Sequence, residues 1–209
     1  YGDRVKYWLT FNEQNIFHMP EAFRISGYMK GEQTLRELYE LQHHAMVAHM
    51  TLTEYLHQTK PGKLMGGMLA HQLIYPATCK PRDIFCAQQY DEFLNQNLLR
   101  VFAGQGYSPA VMAVVEQEGF GDIYRADDLA LFARTKNDFL AFSYYASKTL
   151  DSDAIPEGTP VNHYLLHGEK NNPYLKATEW NWQIDPLGFR TIITRYANDW
   201  RMPVFPIEN

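Results

Sequence analysis

Apolar positions along this chain fall into two alternating patterns. Short, largely apolar runs at Val5–Phe11 (VKYWLTF), Lys63–Ala70 (KLMGGMLA), Asp138–Tyr145 (DFLAFSYY) and Met202–Ile207 read as four buried strands. Between them the spacing turns helical. Thr34 fits an N-cap, and Glu37 three residues later completes a capping box. The helix it opens runs to about Gln58, with Leu38, Leu41, Ala45, Ala48 and Leu52 as its expected apolar stripe, and Pro61-Gly62 ends it. Further helices are predicted over Pro81–Phe102, Pro109–Gln117, Asp127–Phe132 and Pro186–Trp200. Two stretches lack a clear period. Glu13–Gly31 is punctuated by Pro20, Gly27 and Gly31, and Ser147–Ala177 is polar and interrupted by Pro and Gly, as expected of a functional or mobile loop.

Strands thus alternate with helices, and every gap between strands is long enough for a crossover. The pattern predicts an α/β fold of parallel βαβ units. A doubly wound sheet is one solution. A partial (β/α)8 TIM barrel of about four parallel strands is the other, favoured by polar and aromatic residues at successive strand ends: Asn12 and Glu13, His71, Tyr144 and Tyr145, then Glu208. A barrel gathers its chemistry on that rim. Residues 1–209 are expected to form one domain, an incomplete barrel.

Composition narrows the partners. With 45% hydrophobic and 21% charged residues the chain reads as soluble and globular. A formal charge of −5, with arginines occurring singly, gives no footprint for nucleic acid or an anionic membrane. No apolar run approaches the roughly 18 residues of a membrane helix. Cys79 and Cys86 are too few for a disulfide framework and read as free thiols on one helical face, which suits the cytoplasm. His43, His44 and His49 lack the i, i+4 spacing of helical zinc ligands, so no metal is expected there. His71 is expected on the rim, lining the site or supporting it from behind. The chain opens at Tyr1 without a methionine, which reads as an interior piece of something longer.

Glu13 and Glu208 carry the candidate chemistry. Each directly follows an aromatic-rich strand, near opposite ends of the chain. A retaining glycosidase needs one carboxylic acid to protonate the leaving oxygen and a second carboxylate, about 5–5.5 Å away, to attack the anomeric carbon.

The surrounding words resemble one family. Thr10-Phe11-Asn12-Glu13 resembles the acid/base motif of the family 1 glycoside hydrolases, and Ile207-Glu208-Asn209 their nucleophile motif. Asp138–Tyr145 resembles the sixth strand of that family. Trp182-Gln183-Ile184-Asp185-Pro186-Leu187-Gly188 resembles the segment before the seventh, and Tyr75-Pro76 with Pro81-Arg82-Asp83 a loop after the fifth. Phe142-Ser143-Tyr144-Tyr145 and Trp182–Pro186 are most similar to the bacterial 6-phospho-β-glucosidases. The resemblance implies catalytic roles for Glu13 (acid/base) and Glu208 (nucleophile). It implies that Asn12 binds the sugar 2-hydroxyl, that Tyr145 orients Glu208, and that Trp182 is an aromatic platform for the leaving group. It implies a phosphorylated β-glucoside as substrate and no cofactor or metal. An unphosphorylated β-glucoside is the alternative substrate.

Several positions depart from the family pattern. Gln14 stands where proline or isoleucine is common, Ser143 where asparagine is common, and Asn181 where glycine is frequent; Pro206 weakens the last strand as a donor. By resemblance the chain supplies only the fourth to seventh barrel strands. The early strands with most glycone ligands, and the phosphate-binding region after the seventh, lie outside it. Four barrel strands leave two open edges and an uncovered inner face, which invite a second copy to pair as a homo-oligomer. A chain lacking half the sugar site is expected to be catalytically silent alone.

Overall fold

The computed structural model describes residues 2–17, 19, 27 and 33–209. Pro20 and Gly31, two of the breaks expected in the first irregular segment, lie outside them. The chain runs β1 (Tyr7–Leu9), α1 (Leu35–Thr59), β2 (Leu64–Ala70), β3 (Ile74–Pro76), α2 (Pro81–Asp91), α3 (Asn97–Phe102), α4 (Pro109–Gln117), α5 (Ala126–Arg134), β4 (Phe139–Ser143), β5 (Lys148–Leu150), α6 (Tyr164–Gly168), β6 (Glu169–Lys170), α7 (Pro186–Arg195) and β7 (Val204–Glu208). A π-helical turn, Glu92–Gln96, joins α2 to α3, so the expected helix from Pro81 to Phe102 is continuous. A second, Tyr196–Trp200, extends α7.

The four expected strands form one sheet in the order β1-β2-β4-β7, parallel at every pairing. This is a four-strand segment of a (β/α)8 barrel. Two apolar layers hold it. On the helix side, Leu69, Leu140 and Phe142 pack with Met46 and Met50 of α1, Leu98 and Phe102 of α3, and Tyr196. On the concave side Met68, Phe139 and Ala141 form a smaller cluster. The paired glycines of β2 are squeezed between the layers. A Cβ on Gly66 would lie 2.2 Å from the Phe139 ring, and one on Gly67 2.3 Å from the Phe102 ring. All five residues of β4 are buried, whereas Tyr7 of β1 and Phe205 of β7 are 53% and 46% exposed. Each of those rings lies 5.9 Å from Phe139, so the concave face is an aromatic stripe open at both edges. Among the described residues no helix is long and apolar enough to cross a membrane.

Three expectations are corrected. The Ser147–Ala177 stretch is not structureless. It contains β5, α6 and β6, and β5 completes a second sheet in the order β3-β5-β6. Strands of two or three residues are too short to show a period. The stripe expected on α1 is also shifted. The capping box at Thr34 and Glu37 is present, but the buried face is Leu38, Tyr39, Gln42, His43, Met46, His49, Met50 and Thr53, and Leu52 is exposed. The polar members of that face are satisfied by partners far along the chain, which hydrophobic spacing cannot register. His43 bonds Tyr107 Oη and Asp128, both at 3.2 Å. His49 bonds Thr10 Oγ1 at 2.7 Å and Asn137 Oδ1 at 3.1 Å. Finally, Cys79 and Cys86 are free but share no helical face, because Pro81 starts α2 after Cys79.

Candidate active site

The strand ends of the parallel sheet bring distant residues to one rim. Glu13 follows β1 in a left-handed conformation, φ 45°, which costs a non-glycine residue free energy unless its surroundings hold it. The next turn supplies the hold. Asn15, fully buried, donates to the carbonyl of Ala70 and accepts from the Ala70 N–H, both at 2.8 Å. The Glu13 N–H points at Met68 Sδ, 3.0 Å away. The Glu13 carboxylate accepts a short hydrogen bond from Ser143 Oγ at the end of β4.

Ser143 is also the register partner of Ala70 on one side and of Glu208 on the other. The β4–β7 pairing slips between Phe142 and Ser143, opposite Pro206 and Glu208. This irregularity, at the proline that cannot donate, sets Glu208 level with Ser143. Glu208 accepts a short hydrogen bond from Tyr145 Oη. That contact first, then desolvation and the charges of Glu208 and Glu13, push the Tyr145 phenol up to about 12. One phenol therefore feels both carboxylates.

A cavity of about 310 Å3 opens beside them, lined by Glu13, Ile16, Ala70, His71, Gln72, Ser143, Tyr145, Ala146, Lys148 and Trp182. Trp182 forms its aromatic wall, with its ring centroid 5.1 Å from that of Tyr145 and tilted by 39°. The segment carrying it is a tight turn. Thr178 N–H donates to the Trp182 carbonyl at 2.8 Å, and Asn181 sits at φ 59°. That left-handed position explains why asparagine stands where glycine is frequent, since asparagine tolerates it better than most residues. Of the expected residues, Glu13, Tyr145 and Trp182 line the cavity, and Glu208 joins them through Tyr145. Asn12 is exposed next to Glu13 and does not line the cavity.

Two groups support the site, His71, expected on the rim, and Asp185, whose role was not singled out from the sequence. Asp185 gathers hydroxyls from separate elements: Tyr75 Oη at 2.9 Å, Tyr144 Oη, and Ser147 Oγ through a short bond. It also caps α7 by accepting from Gly188 N–H at 2.8 Å. Burial alone would raise its pKa. The hydrogen bonds from Ser147, Gly188, Tyr75 and Tyr144 outweigh burial and lower it. Asp185 so ties the Trp182 turn to the strand end that bears Tyr145. His71 is a buried ring in the cavity lining, its Nδ1 2.7 Å from Tyr196 Oη. Burial, and then Arg195, lower its pKa to about 3, so the ring is neutral. The motif Gln183-Ile184-Asp185-Pro186 was visible as a helix start; that its carboxylate serves the site depends on partners up to 110 residues away.

The whole chain, residues 1–209, matches the family model described as glycosyl hydrolase family 1. Among curated proteins it is 33% identical to the 6-phospho-beta-glucosidase AscB of Escherichia coli, over 98% of this chain and 43% of that protein. It is 34% identical to the aryl-phospho-beta-D-glucosidase BglH of Bacillus subtilis, over 100% of this chain and 44% of that protein. The chain thus spans less than half the length of these relatives. Among solved structures, the AHE enzyme of Alicyclobacillus herbarius superposes with a TM-score of 0.77 at 26% identity, covering 100% of this chain and 45% of that one. The psychrophilic beta-glucosidase BglU of Micrococcus antarcticus gives 0.82 at 22% identity, covering 100% and 47%, a likeness of fold.

Proposed function

The chain belongs to glycosyl hydrolase family 1, and from that premise we propose that the protein hydrolyses 6-phospho-β-glucosides with retention, by double displacement. The observation that carries this reading is that Ser143 and Tyr145, at one strand end, hold the carboxylates of Glu13 and Glu208 in a single site. The 6-phosphate rests on the curated relatives, whose names specify phosphorylated β-glucosides.

In the first step Glu208 attacks the anomeric carbon and the glycosidic C–O bond breaks. Glu13 gives its proton to the leaving oxygen, and a covalent glycosyl ester on Glu208 results. In the second step Glu13, now a carboxylate, takes a proton from water. That water attacks the same carbon and the ester bond breaks, restoring both groups. Tyr145 donates to the ionised form of Glu208, and so favours the nucleophilic state. Asn12 meets the sugar 2-hydroxyl, and Trp182 stacks on the leaving group. The mechanism needs no metal or cofactor. A phosphorylated sugar substrate and free thiols both fit a cytoplasmic enzyme.

The reading also requires that the open edges at β1 and β7 be covered, by further chain or by a second copy, since the exposed aromatic stripe lies directly below the site. The test is hydrolysis of an aryl β-glucoside with and without the 6-phosphate, together with mass analysis of a trapped glycosyl ester. Turnover of the phosphorylated substrate with label on Glu208 supports the proposal. Equal turnover of the unphosphorylated substrate overturns the phosphate specificity, and label on another residue overturns the nucleophile.

A further inference from the structure

Away from the candidate site, one surface of the helical layer is apolar, open and symmetric in its pattern. α2 and the π-helical turn after it carry Arg82, Phe85, Gln89 and Glu92 on one stripe, at spacings of three, four and three residues. Phe85 is 57% exposed. Beside the stripe a groove of about 360 Å3 runs between α2 and α4. Phe93, Ala110, Val111 and Val114 line it, together with the last three residues of the stripe. An exposed ring next to an unfilled apolar groove leaves both without apolar partners, and contiguous apolar surface of that kind marks an interaction face.

Reversed end to end about Ala87, the stripe lies on itself: Arg82 falls on Glu92 and Phe85 on Gln89. Its two ends carry opposite charges, and neither belongs to an ion pair among the described residues. Such a surface is complementary to a copy of itself turned about a two-fold axis. We propose that this groove is a dimer interface, in which α2 packs antiparallel on α2 of a second copy with the axis at the level of Ala87. Each Phe85 enters the groove of the other copy, and each Arg82 lies beside Glu92 of the partner subunit. The apolar contact and the ion pair are thus each made twice.

This face is separate from the open sheet edges. α2 belongs to the crossover between β2 and β4, the two inner strands. Chain that pairs with β1 or β7 extends the sheet at its ends, not over this crossover. The 11 residues of α2 span about 16 Å, so the contact is smaller than the ~800 Å2 that each partner gives to a standard-size interface. Dimer and monomer are therefore expected to exchange at micromolar concentrations.

Sedimentation velocity of the full chain between about 1 and 200 µM reads this directly, and a shift from monomer to dimer is expected across that range. Phe85→Glu puts a charge into the groove, and Arg82→Glu sets two like-charged pairs in the interface. Each should weaken the dimer by at least about tenfold. Adding Glu92→Arg to Arg82→Glu reverses both pairs and should restore the dimer to within about threefold. If Phe85→Glu fails to fold, the charge reversals decide alone. Monomer at every concentration assigns the groove to another occupant and overturns the inference. A dimer unweakened by Phe85→Glu places the association at the β1 and β7 edges and overturns it as well, as does a double variant that associates no better than Arg82→Glu.

Discussion

The two carboxylates sit at opposite edges of the same sheet and are held in different ways. Around Glu13 the support is buried and redundant. Asn15 clamps the following turn to both polar groups of Ala70, His49 reaches Thr10 from α1, Met68 meets the Glu13 N–H, and Ser143 bonds its carboxylate. Around Glu208 the support is thin. It ends the outermost strand, most of whose residues are exposed, and is tied to β4 by its own carbonyl, which accepts from Tyr144 N–H at 3.0 Å, and by the Tyr145 phenol. Both organising hydroxyls come from the end of β4, the most completely buried strand. The contrast teaches that the central strand presets Glu13, whereas Glu208 depends on one partly exposed tyrosine and on whatever pairs with β7.

The largest effect should be indifferent to this contrast. Glu13→Gln and Glu208→Gln are each expected to lower kcat/KM by about 10^4-fold, because under the proposed double displacement each removes a group that bonds to the reacting atoms. Steady-state assays on the 6-phosphorylated aryl glucoside check this, and survival of activity in either variant would break the two-carboxylate reading. The asymmetry enters next. Asn15→Ala leaves two buried backbone groups at Ala70 unpaired, at about 4 kcal/mol of stability in total. Chemical denaturation should show that loss, accompanied by a rise in backbone exchange at Ala70.

On the Glu13 side a pH signature comes from His49. Burial lowers the pKa of His49 to about 4 from its ordinary 6.5, although Asn137 works in the opposite direction. The unfolded chain therefore binds a proton that the folded one refuses. The His49 contribution is complete above about pH 6.5 and is lost as pH falls towards 4, at about 1.4 kcal/mol per pH unit and about 3 kcal/mol in full. In His49→Gln the slope of unfolding free energy between pH 4 and 6.5 should fall by about that amount; an unchanged slope would remove His49 from the account. The smallest effect is on the Glu208 side. Tyr145→Phe removes the one side-chain donor on Glu208 among the described residues, and with the ring 41% exposed the expected loss in kcat is about tenfold. Its folding stability should hardly move. A loss of stability as large as that of Asn15→Ala would erase the contrast between the two edges.

Much of this was legible along the chain because the signals are local. Apolar runs marked all four barrel strands, the Thr34–Glu37 box marked the start of α1, and Pro81 and Pro186 marked helix starts. Glu13, Tyr145 and Trp182 were found from short motifs, and they meet. The misses share a cause. Why β2 carries glycine at 66 and 67 is not readable along the chain, because the rings of Phe139 and Phe102 that press on them come from elsewhere. The apolar stripe expected on α1 failed because His43 and His49 are buried through bonds to Asp128 and Asn137, 85 and 88 residues away.

The sequence by itself determined the four strands of the larger sheet, the main helices between them, and where their carboxylates stand. Those choices follow from period, caps and turn residues, which act over a few neighbours. Only the tertiary structure decided what those carboxylates touch. Ser143 could serve Glu13, 130 residues earlier, only once β1, β2 and β4 had paired in register, and Asp185 could gather Tyr75, Tyr144 and Ser147 only once the second sheet had formed. A hydrogen bond over such separations is set by strand register and packing, and no local pattern encodes its partner.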